Sequence, residues 1–368
     1  MNKHPRILLA GGGTGGPVSP VLAVAMEIKK LIPSVEFLFV GTKKGPEKVL
    51  VAESGIPFVG MRAARLRRYF SLMNVVDVFV FLASLIASFR ILRRFKPSLI
   101  FSAGGFVSVP LCWVGKTIGA QIVIHQQDAE VGLANKLIVP LASKITAAFE
   151  HTAKNFYSGP GLLKKEKQHA AEWVGNPVRP QIRKPDLVQK KFFKLHDQLP
   201  ILLVLGGATG AKQINDLIQA TLPSLAQTHQ IVHQAGKGKN TIQFSSPNYH
   251  PFELIPFESY AAILNLAHLV VARAGLSTIA ELSATGKVSI IIPMPDSHQE
   301  ENGKILKAAG AAVVLQKNEV NPGNFLKTIK DLEFNPQWQA KLMNNIKQLM
   351  PKDAEKRIAK IITEELNK

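Results

Sequence analysis

The chain has 368 residues, 46% of them hydrophobic, and a formal net charge of +19 at pH 7. That length exceeds what one core usually organises, so two domains of roughly 150 to 180 residues are expected, with apolar content ample for both. Cys112 is the only cysteine, which excludes an intrachain disulfide framework and fits a reducing compartment such as the cytoplasm.

Met1 to Arg6 lead straight into an apolar strand, Arg6 to Ala10, without the long apolar stretch and small-residue cleavage site of a signal peptide. The glycines Gly11 to Gly16 follow, and a helix is predicted from near Pro20. Read alone, G-x-G-x-x-G after a strand is either a tight turn or an anion site, since glycine lets main-chain N–H groups approach a charge at a helix start. A dinucleotide site would also want an acid at the end of the next strand, Val35 to Val40, and that strand ends Val40-Gly41-Thr42.

The excess charge attracts nucleic acid, anionic lipid or phosphorylated substrates. Its placement favours a membrane surface. Arg62, Arg65, Arg67 and Arg68 precede an apolar stretch, Val78 to Phe89, and Arg90, Arg93, Arg94 and Lys96 follow it. The stretch is about twelve residues, whereas a spanning helix needs roughly 20. It reads as a helix packed in the core, dipped into headgroups, or both, one face each way. Phe79, Phe81, Leu85, Arg67, Arg68 and Arg90 are the expected membrane contacts. No recognisable nucleic-acid reader motif accompanies the basic residues, so no nucleic-acid partner is expected.

Strands at Ser98 to Ser102, Gln121 to His125 and Lys144 to Ala148 complete a first parallel sheet, with a second glycine turn, Ser102-Ala-Gly-Gly-Phe-Val-Ser108, at the end of one of them. A polar, basic stretch from Gly159 to Leu199 separates the halves. Its prolines, in Gly175-Asn-Pro-Val-Arg-Pro180, argue against regular structure. A hinge is expected at 175–180, between an N-terminal domain, 1–174, and a C-terminal domain, 181–349. The second half starts again with Pro200 to Leu205 and a third glycine turn, Gly206 to Gly210, then Gln230 to His233, His268 to Ala272, Val288 to Ile292 and Ala312 to Leu315.

Arg273-Ala-Gly-Leu-Ser-Thr-Ile-Ala-Glu281 puts Ser277 and Thr278 at a helix N-terminus, which can hold a diphosphate without a metal. Glu281, a turn inside, reads as a ribose ligand or as a helix-stabilising acid. In His298-Gln-Glu-Glu-Asn302, Gln299 and Asn302 are candidates for sugar hydroxyls. No C-x-x-C, H-E-x-x-H or acidic metal cluster is present, so neither metal nor cofactor is expected. The last helix, Asp353 to Asn367 within 350–368, is expected to cross back onto the first domain.

Together, Gly11 to Gly16, Ser102 to Ser108, His125-Gln-Gln-Asp128 with Gly132-Leu-Ala-Asn-Lys136, Val174 to Arg179, Gly206 to Ala211, Arg273 to Glu281 and His298 to Asn302 resemble the MurG-type N-acetylglucosaminyltransferases of peptidoglycan synthesis, in the family's order and over nearly the whole chain. The resemblance implies a GT-B fold, two Rossmann-like α/β domains facing across a cleft. It implies transfer of N-acetylglucosamine from UDP to the C4 hydroxyl of a muramyl pentapeptide on diphospho-undecaprenol, with inversion, at the cytoplasmic face of the bacterial membrane. The C-terminal domain is then expected to hold UDP-N-acetylglucosamine through Leu276, Ser277, Thr278, Glu281, Gln299, Arg179, Glu258 beside Phe257, and Ala208 with Thr209. Thr14, Gly15 and Gly16 line the cleft and, with Asp128, are expected to contact UDP-N-acetylglucosamine, while Gly104, Gly105, His125 and Asn135 line the acceptor side.

Three positions depart from the family's G-G-T-G-G-H and H-E-Q-N: Pro17 replaces the histidine, Gln126 the glutamate and Asp128 the asparagine. Ala208 also stands where many members carry serine. With the usual histidine gone, Asp128 becomes the candidate base. The alternatives are a related transferase with another lipid or small-molecule acceptor, or a UDP-N-acetylglucosamine epimerase.

Overall fold

A computed structural model describes residues 4–12, 16–43, 45, 47–64, 73–156, 171–186, 191–207, 210–239 and 242–368. The chain forms two compact units, Met1–Val178 with Pro351–Lys368, and Arg179–Met350.

In the first unit the order is β1 (Arg6–Ala10), α1 (Val18–Leu31), β2 (Glu36–Thr42), α2 (Glu47–Ala52), β3 (Phe58–Met61), α3 (Met73–Phe95), β4 (Leu99–Ser102), α4 (Ser108–Thr117), β5 (Gln121–Gln126), α5 (Leu133–Ile138), β6 (Lys144–Ala147), α6 (Glu150–Lys154) and β7 (Glu172–Trp173). The strands make one parallel sheet in the order β3-β2-β1-β4-β5-β6-β7. Successive side chains point to opposite faces. Ile7, Leu9, Leu99, Phe101 and Val123 therefore pack on one side with Val21, Val24 and Ile28 of α1, while Leu8, Ala10, Ile100, Ile122 and Ile124 pack on the other with Leu92 of α3 and Leu111 of α4. Helices on both faces explain why these strands are apolar throughout instead of alternating.

The second unit contains α7 (Pro180–Arg183), β8 (Ile201–Leu205), α8 (Lys212–Leu225), β9 (Gln230–Gln234), β10 (Tyr249–Phe252), α9 (Phe257–Leu266), β11 (Leu269–Ala272), α10 (Leu276–Thr285), β12 (Ser289–Ile291), α11 (Gln299–Ala308), β13 (Val313–Val314), α12 (Pro322–Glu333) and α13 (Pro336–Gln348). Its sheet, also parallel, runs β10-β9-β8-β11-β12-β13. In both sheets the chain moves outward from its first strand and then returns to that strand's other side. The C-terminal ends of β1 and β4, and of β8 and β11, are thus the switch points where open α/β sheets bind ligands. The final helix, α14 (Ala354–Leu366), lays Ile358, Ala359, Ile361 and Ile362 beside α1 on the first sheet. Each such isoleucine is worth about 1.5–3 kcal/mol of burial. Gly175, with φ +80°, lies where the chain crosses its own return: a Cβ there would come within 2.6 Å of the Pro351 carbonyl oxygen.

Several expectations change. The strands β3, β7 and β10 were not predicted. They are short, β3 and β10 close the edges of their sheets, and Pro251 in β10 is tolerated because an edge strand pairs on one side only. The prolines after Gly175 do not forbid structure, since Pro180 occupies the first turn of α7, where its missing N–H is not needed. The apolar segment Val78 to Phe89 is the middle of the longer α3, which carries Asp77, Arg90, Arg93 and Arg94 within its length. Charged side chains do not by themselves end a helix. Among the described residues no helix is long and apolar enough to cross a membrane.

Candidate functional site

The first unit gathers three loops at its switch point. Gly11 N–H donates to the Val40 carbonyl at 3.3 Å, and a Cβ on Gly105 (φ +95°) would lie 2.7 Å from the Gly12 carbonyl oxygen, so the two glycine turns meet main chain to main chain. Ser102 and Ser108 fix the second turn, Ser102 Oγ accepting from Gly104 N–H at 3.0 Å and Ser108 Oγ donating to the Gly105 carbonyl at 2.5 Å. Gln127 ties the third loop to the second by donating to the Ala103 carbonyl at 3.0 Å. Gly104 and Gly105 thus lie together with Asn135, whose Oδ1 is buried and has no hydrogen-bond partner among the described residues. Gly16 is half-buried, as is Asp128 just beyond β5. Thr14 and Gly15 lie outside the described residues.

His125 is a correction to the expected acceptor side. Its ring is fully buried, with Nδ1 3.0 Å from Thr146 Oγ1 and Nε2 3.2 Å from Asn176 Oδ1. Burial drives its pKa down to about 4, against a smaller raising effect from the Asn176 hydrogen bond. A neutral ring packed inside the unit braces the loop and presents nothing to a ligand. Glu47 went unnoticed in the sequence. Its carboxylate is fully buried and accepts from the Thr42 N–H at 2.6 Å, and a Cβ on Gly12 would stand 2.6 Å from the same oxygen.

The second unit builds its site around the start of α10. Gly275 caps the helix with no side-chain hydrogen bond, so no cap side chain occupies its first N–H groups, the kind of helix start that binds anions. Leu276 is buried, Thr278 half-buried, and Ser277 Oγ is buried without a partner among the described residues. Gln299 opens α11 beside this turn: its Nε2 is 4.0 Å from where a Cβ on Gly275 would be, and its Oε1 accepts from Met294 N–H at 3.1 Å. Arg273 is spent on the scaffold, donating to Gln213 Oε1 and to the carbonyls of Ile292 and Pro293 at 2.8, 3.1 and 3.0 Å. Asn302 likewise is a correction. It is fully buried and donates to the Ala274 carbonyl at 2.9 Å, so it holds the loop and no sugar hydroxyl.

Beside the α10 turn, Arg179 lies over the Phe257 ring at 3.9 Å, Phe257 stacks on Tyr260 at 6.5 Å, and the Tyr260 hydroxyl donates to Glu281 Oε2 at 2.5 Å. Burial raises Glu281 to about 7, opposed by the Tyr260 hydrogen bond and by the charge of Arg179. Tyr260 carried no signal in the sequence, being one aromatic on an apolar helix. Glu258 is exposed on the first turn of α9. Ala208 and Thr209 lie outside the described residues. Among the described residues no group of three or more His, Cys, Asp or Glu side chains could hold a metal.

Two family models match the chain, the glycosyltransferase family 28 N-terminal domain over residues 7–147 and the family 28 C-terminal domain over 201–358. The chain is also 34% identical to a UDP-N-acetylglucosamine–N-acetylmuramyl-(pentapeptide) pyrophosphoryl-undecaprenol N-acetylglucosamine transferase of Treponema denticola, over 89% of this chain and 88% of the relative. The chain belongs to glycosyltransferase family 28. A protein of the same name from Borrelia garinii subsp. bavariensis is 30% identical over 100% of this chain and 98% of its own. Among solved structures, MurG of Acinetobacter baumannii superposes with a TM-score of 0.72 at 23% identity, covering 98% of this chain and 99% of its own. A Listeria monocytogenes structure described as a UDP-N-acetylglucosamine 2-epimerase gives 0.68 at 12%, over 98% and 96%. Likeness at that level shows the shared GT-B fold alone. The family 28 domains coincide with the two sheets, and both glycine-lined switch points fall within or beside them.

Proposed function

We infer that this chain is an inverting transferase that moves N-acetylglucosamine from UDP-N-acetylglucosamine to the C4 hydroxyl of N-acetylmuramyl-(pentapeptide) pyrophosphoryl-undecaprenol, making a peptidoglycan precursor. The relatives' names support this reading across most of the chain. The observation that carries it is the α10 N-terminus: N–H groups without a side-chain cap and the Ser277 hydroxyl, buried without a partner among the described residues, for a diphosphate, with Glu281 one turn further in for ribose hydroxyls. In our reading Arg179 neutralises the leaving diphosphate, Gln299 contacts the sugar, and Phe257 with Glu258 flanks the uracil. Thr14 to Gly16 meet the donor from the cleft, and Gly104, Gly105 and Asn135 belong to the acceptor side.

The acceptor oxygen attacks the anomeric carbon as the bond to the β-phosphate oxygen breaks and its electron pair leaves with UDP, so an α-linked donor gives a β-linked product. The acceptor proton passes to Asp128, the carboxylate nearest in sequence to the missing family acid. A positioned base contributes about 10²- to 10⁴-fold, and preorganised N–H dipoles and Arg179 supply the larger electrostatic share. We further place the enzyme at the cytoplasmic membrane surface through α3. Its exposed face comprises Val78, Phe79, Leu82, Ile86 and Phe89, and Arg90, Arg93, Arg94 and Lys96 follow as exposed cations. Phe81 is not on that face: it is half-buried, edge-on to Trp113 at 5.9 Å, and packs against the core, while Leu85 is also half-buried. Arg67 and Arg68 lie outside the described residues.

The test is transfer of labelled N-acetylglucosamine from its UDP donor to a short-chain muramyl-diphosphate lipid. Labelled disaccharide-lipid is the expected product. Folded protein that makes none, or that isomerises the donor when no acceptor is present, would overturn the assignment.

A further inference from the structure

Gln126 is 3% exposed, and both polar atoms of its amide are engaged. Nε2 donates to the carbonyls of Asp128 at 2.8 Å and Glu130 at 2.9 Å, while Oε1 accepts from Asn135 Nδ2 at 2.7 Å. The partners dictate the amide's orientation, because two carbonyl oxygens can be met only by a donor. Neighbouring bonds pin the same turn: Asn135 Nδ2 also donates to the His125 carbonyl at 3.3 Å, Gln127 to Ala103, and Thr152 Oγ1 to the Ala129 carbonyl at 3.0 Å. Main-chain carbonyls at 125, 128, 129 and 130 are thereby all held by side chains of the first unit.

A carboxylate at 126 could not do this. Ionised, it would set negative oxygens against two carbonyls; protonated, its one O–H could satisfy only one of them. The turn therefore needs a donor at 126, and it leaves the acid at 128.

We propose that Gln126 is a positioning residue for the transfer reaction: its amide closes the 126–130 turn that presents the Asp128 carboxylate to the acceptor hydroxyl. The proposal rests on reading Asp128 as the base. It also makes the pair interdependent, so that neither residue can be restored singly to the family pattern without loss.

The experiment is a double-mutant cycle in the full-length enzyme with Gln126→Glu, Asp128→Asn and both together. It measures kcat and KM for the short-chain muramyl lipid, UDP-N-acetylglucosamine affinity by calorimetry, and the melting temperature. Gln126→Glu is expected to lower kcat by about 10- to 100-fold, the scale of a misplaced catalytic group, with donor affinity within about twofold of wild type. In the Asp128→Asn background the same change should add less than about threefold, because a residue acting through another shows strong coupling. Should Gln126→Glu fold poorly, Gln126→Met keeps the length, removes the hydrogen bonds and is expected to lose about tenfold in kcat on the same reasoning. Wild-type kcat in the Gln126 variant that folds overturns the proposal, as do independent, multiplicative effects of the two sites. Wild-type turnover by Asp128→Asn alone would instead remove the base assignment, whatever position 126 does.

Discussion

The Tyr260 hydroxyl donates to Glu281 Oε2 at 2.5 Å, joining the first turn of α9 to the second turn of α10. The bond stabilises the ionised carboxylate and so opposes burial, whose larger effect still leaves Glu281 raised to about 7. A hydrogen bond to a charged group is worth about 1.5–3 kcal/mol, so in Tyr260→Phe the carboxyl should titrate about one pH unit higher or more. If Glu281 holds the ribose as a carboxylate, donor affinity weakens as pH falls through its pKa. Calorimetry with UDP-N-acetylglucosamine from pH 6 to 9 should show that fall near pH 7 in the wild type and about one unit higher in Tyr260→Phe. Superimposable curves would mean that the ionised form is not the binding form.

Ser277 should behave as a residue kept for a ligand at the expense of the empty protein. Its Oγ is buried without a partner among the described residues, a state that costs about 1–3 kcal/mol unless something bonds it. Ser277→Ala is therefore expected to leave the ligand-free melting temperature unchanged or raise it slightly, while weakening UDP-N-acetylglucosamine about tenfold. Thermal melts with and without donor check both halves. A destabilised apo variant with normal donor affinity would assign the hydroxyl to the scaffold.

His125 sets an acid limit for the first unit. Its folded pKa of about 4 lies below the unfolded value of 6.5. The unfolded chain therefore binds the proton first as pH falls. The stability this ring contributes is present above pH 6.5 and is lost as pH drops toward 4, at up to about 1.4 kcal/mol per pH unit for one proton. His125→Gln, which retains hydrogen-bonding atoms without a titrating group, should flatten the stability curve between pH 6.5 and 4.5 in urea titrations. His233, also near 4 through burial, continues to titrate in the second unit and serves as the internal comparison.

The two parallel sheets were legible because buried strands such as Ile7-Leu-Leu-Ala and Ile201-Leu-Leu-Val-Leu are short apolar runs ending in glycine, and local composition encodes that directly. What escaped depended on contacts between distant positions. Tyr260 meets Glu281 across 21 residues, and His125 meets Asn176 across 51. No local pattern marks either pair. Residue type alone also misjudged Asn302 and His125, polar residues that bond the scaffold from inside. For α3 the charge-free run located the helix but not its rotation: Phe79 is exposed, whereas Phe81 faces the core.

That rotation separates membrane contact from packing in a way that substitution can read. Phe79 is 68% exposed, Leu82 51% and Ile86 56%, and with one polar group each they would lose an apolar surface of the size that drives interfacial binding, about 25 cal/mol per Å². Phe79→Ser with Leu82→Ser and Ile86→Ser is expected to melt within a few degrees of the wild type and to lose about tenfold or more in affinity for phosphatidylglycerol-containing vesicles. Phe81→Ser should do the reverse, because the ring supports Trp113 and the core, and removing a partly buried phenyl costs up to about 3 kcal/mol. Vesicle sedimentation and melting of the two variants side by side distinguish the faces. Undiminished vesicle binding by the folded triple variant would move the membrane contact off α3 altogether.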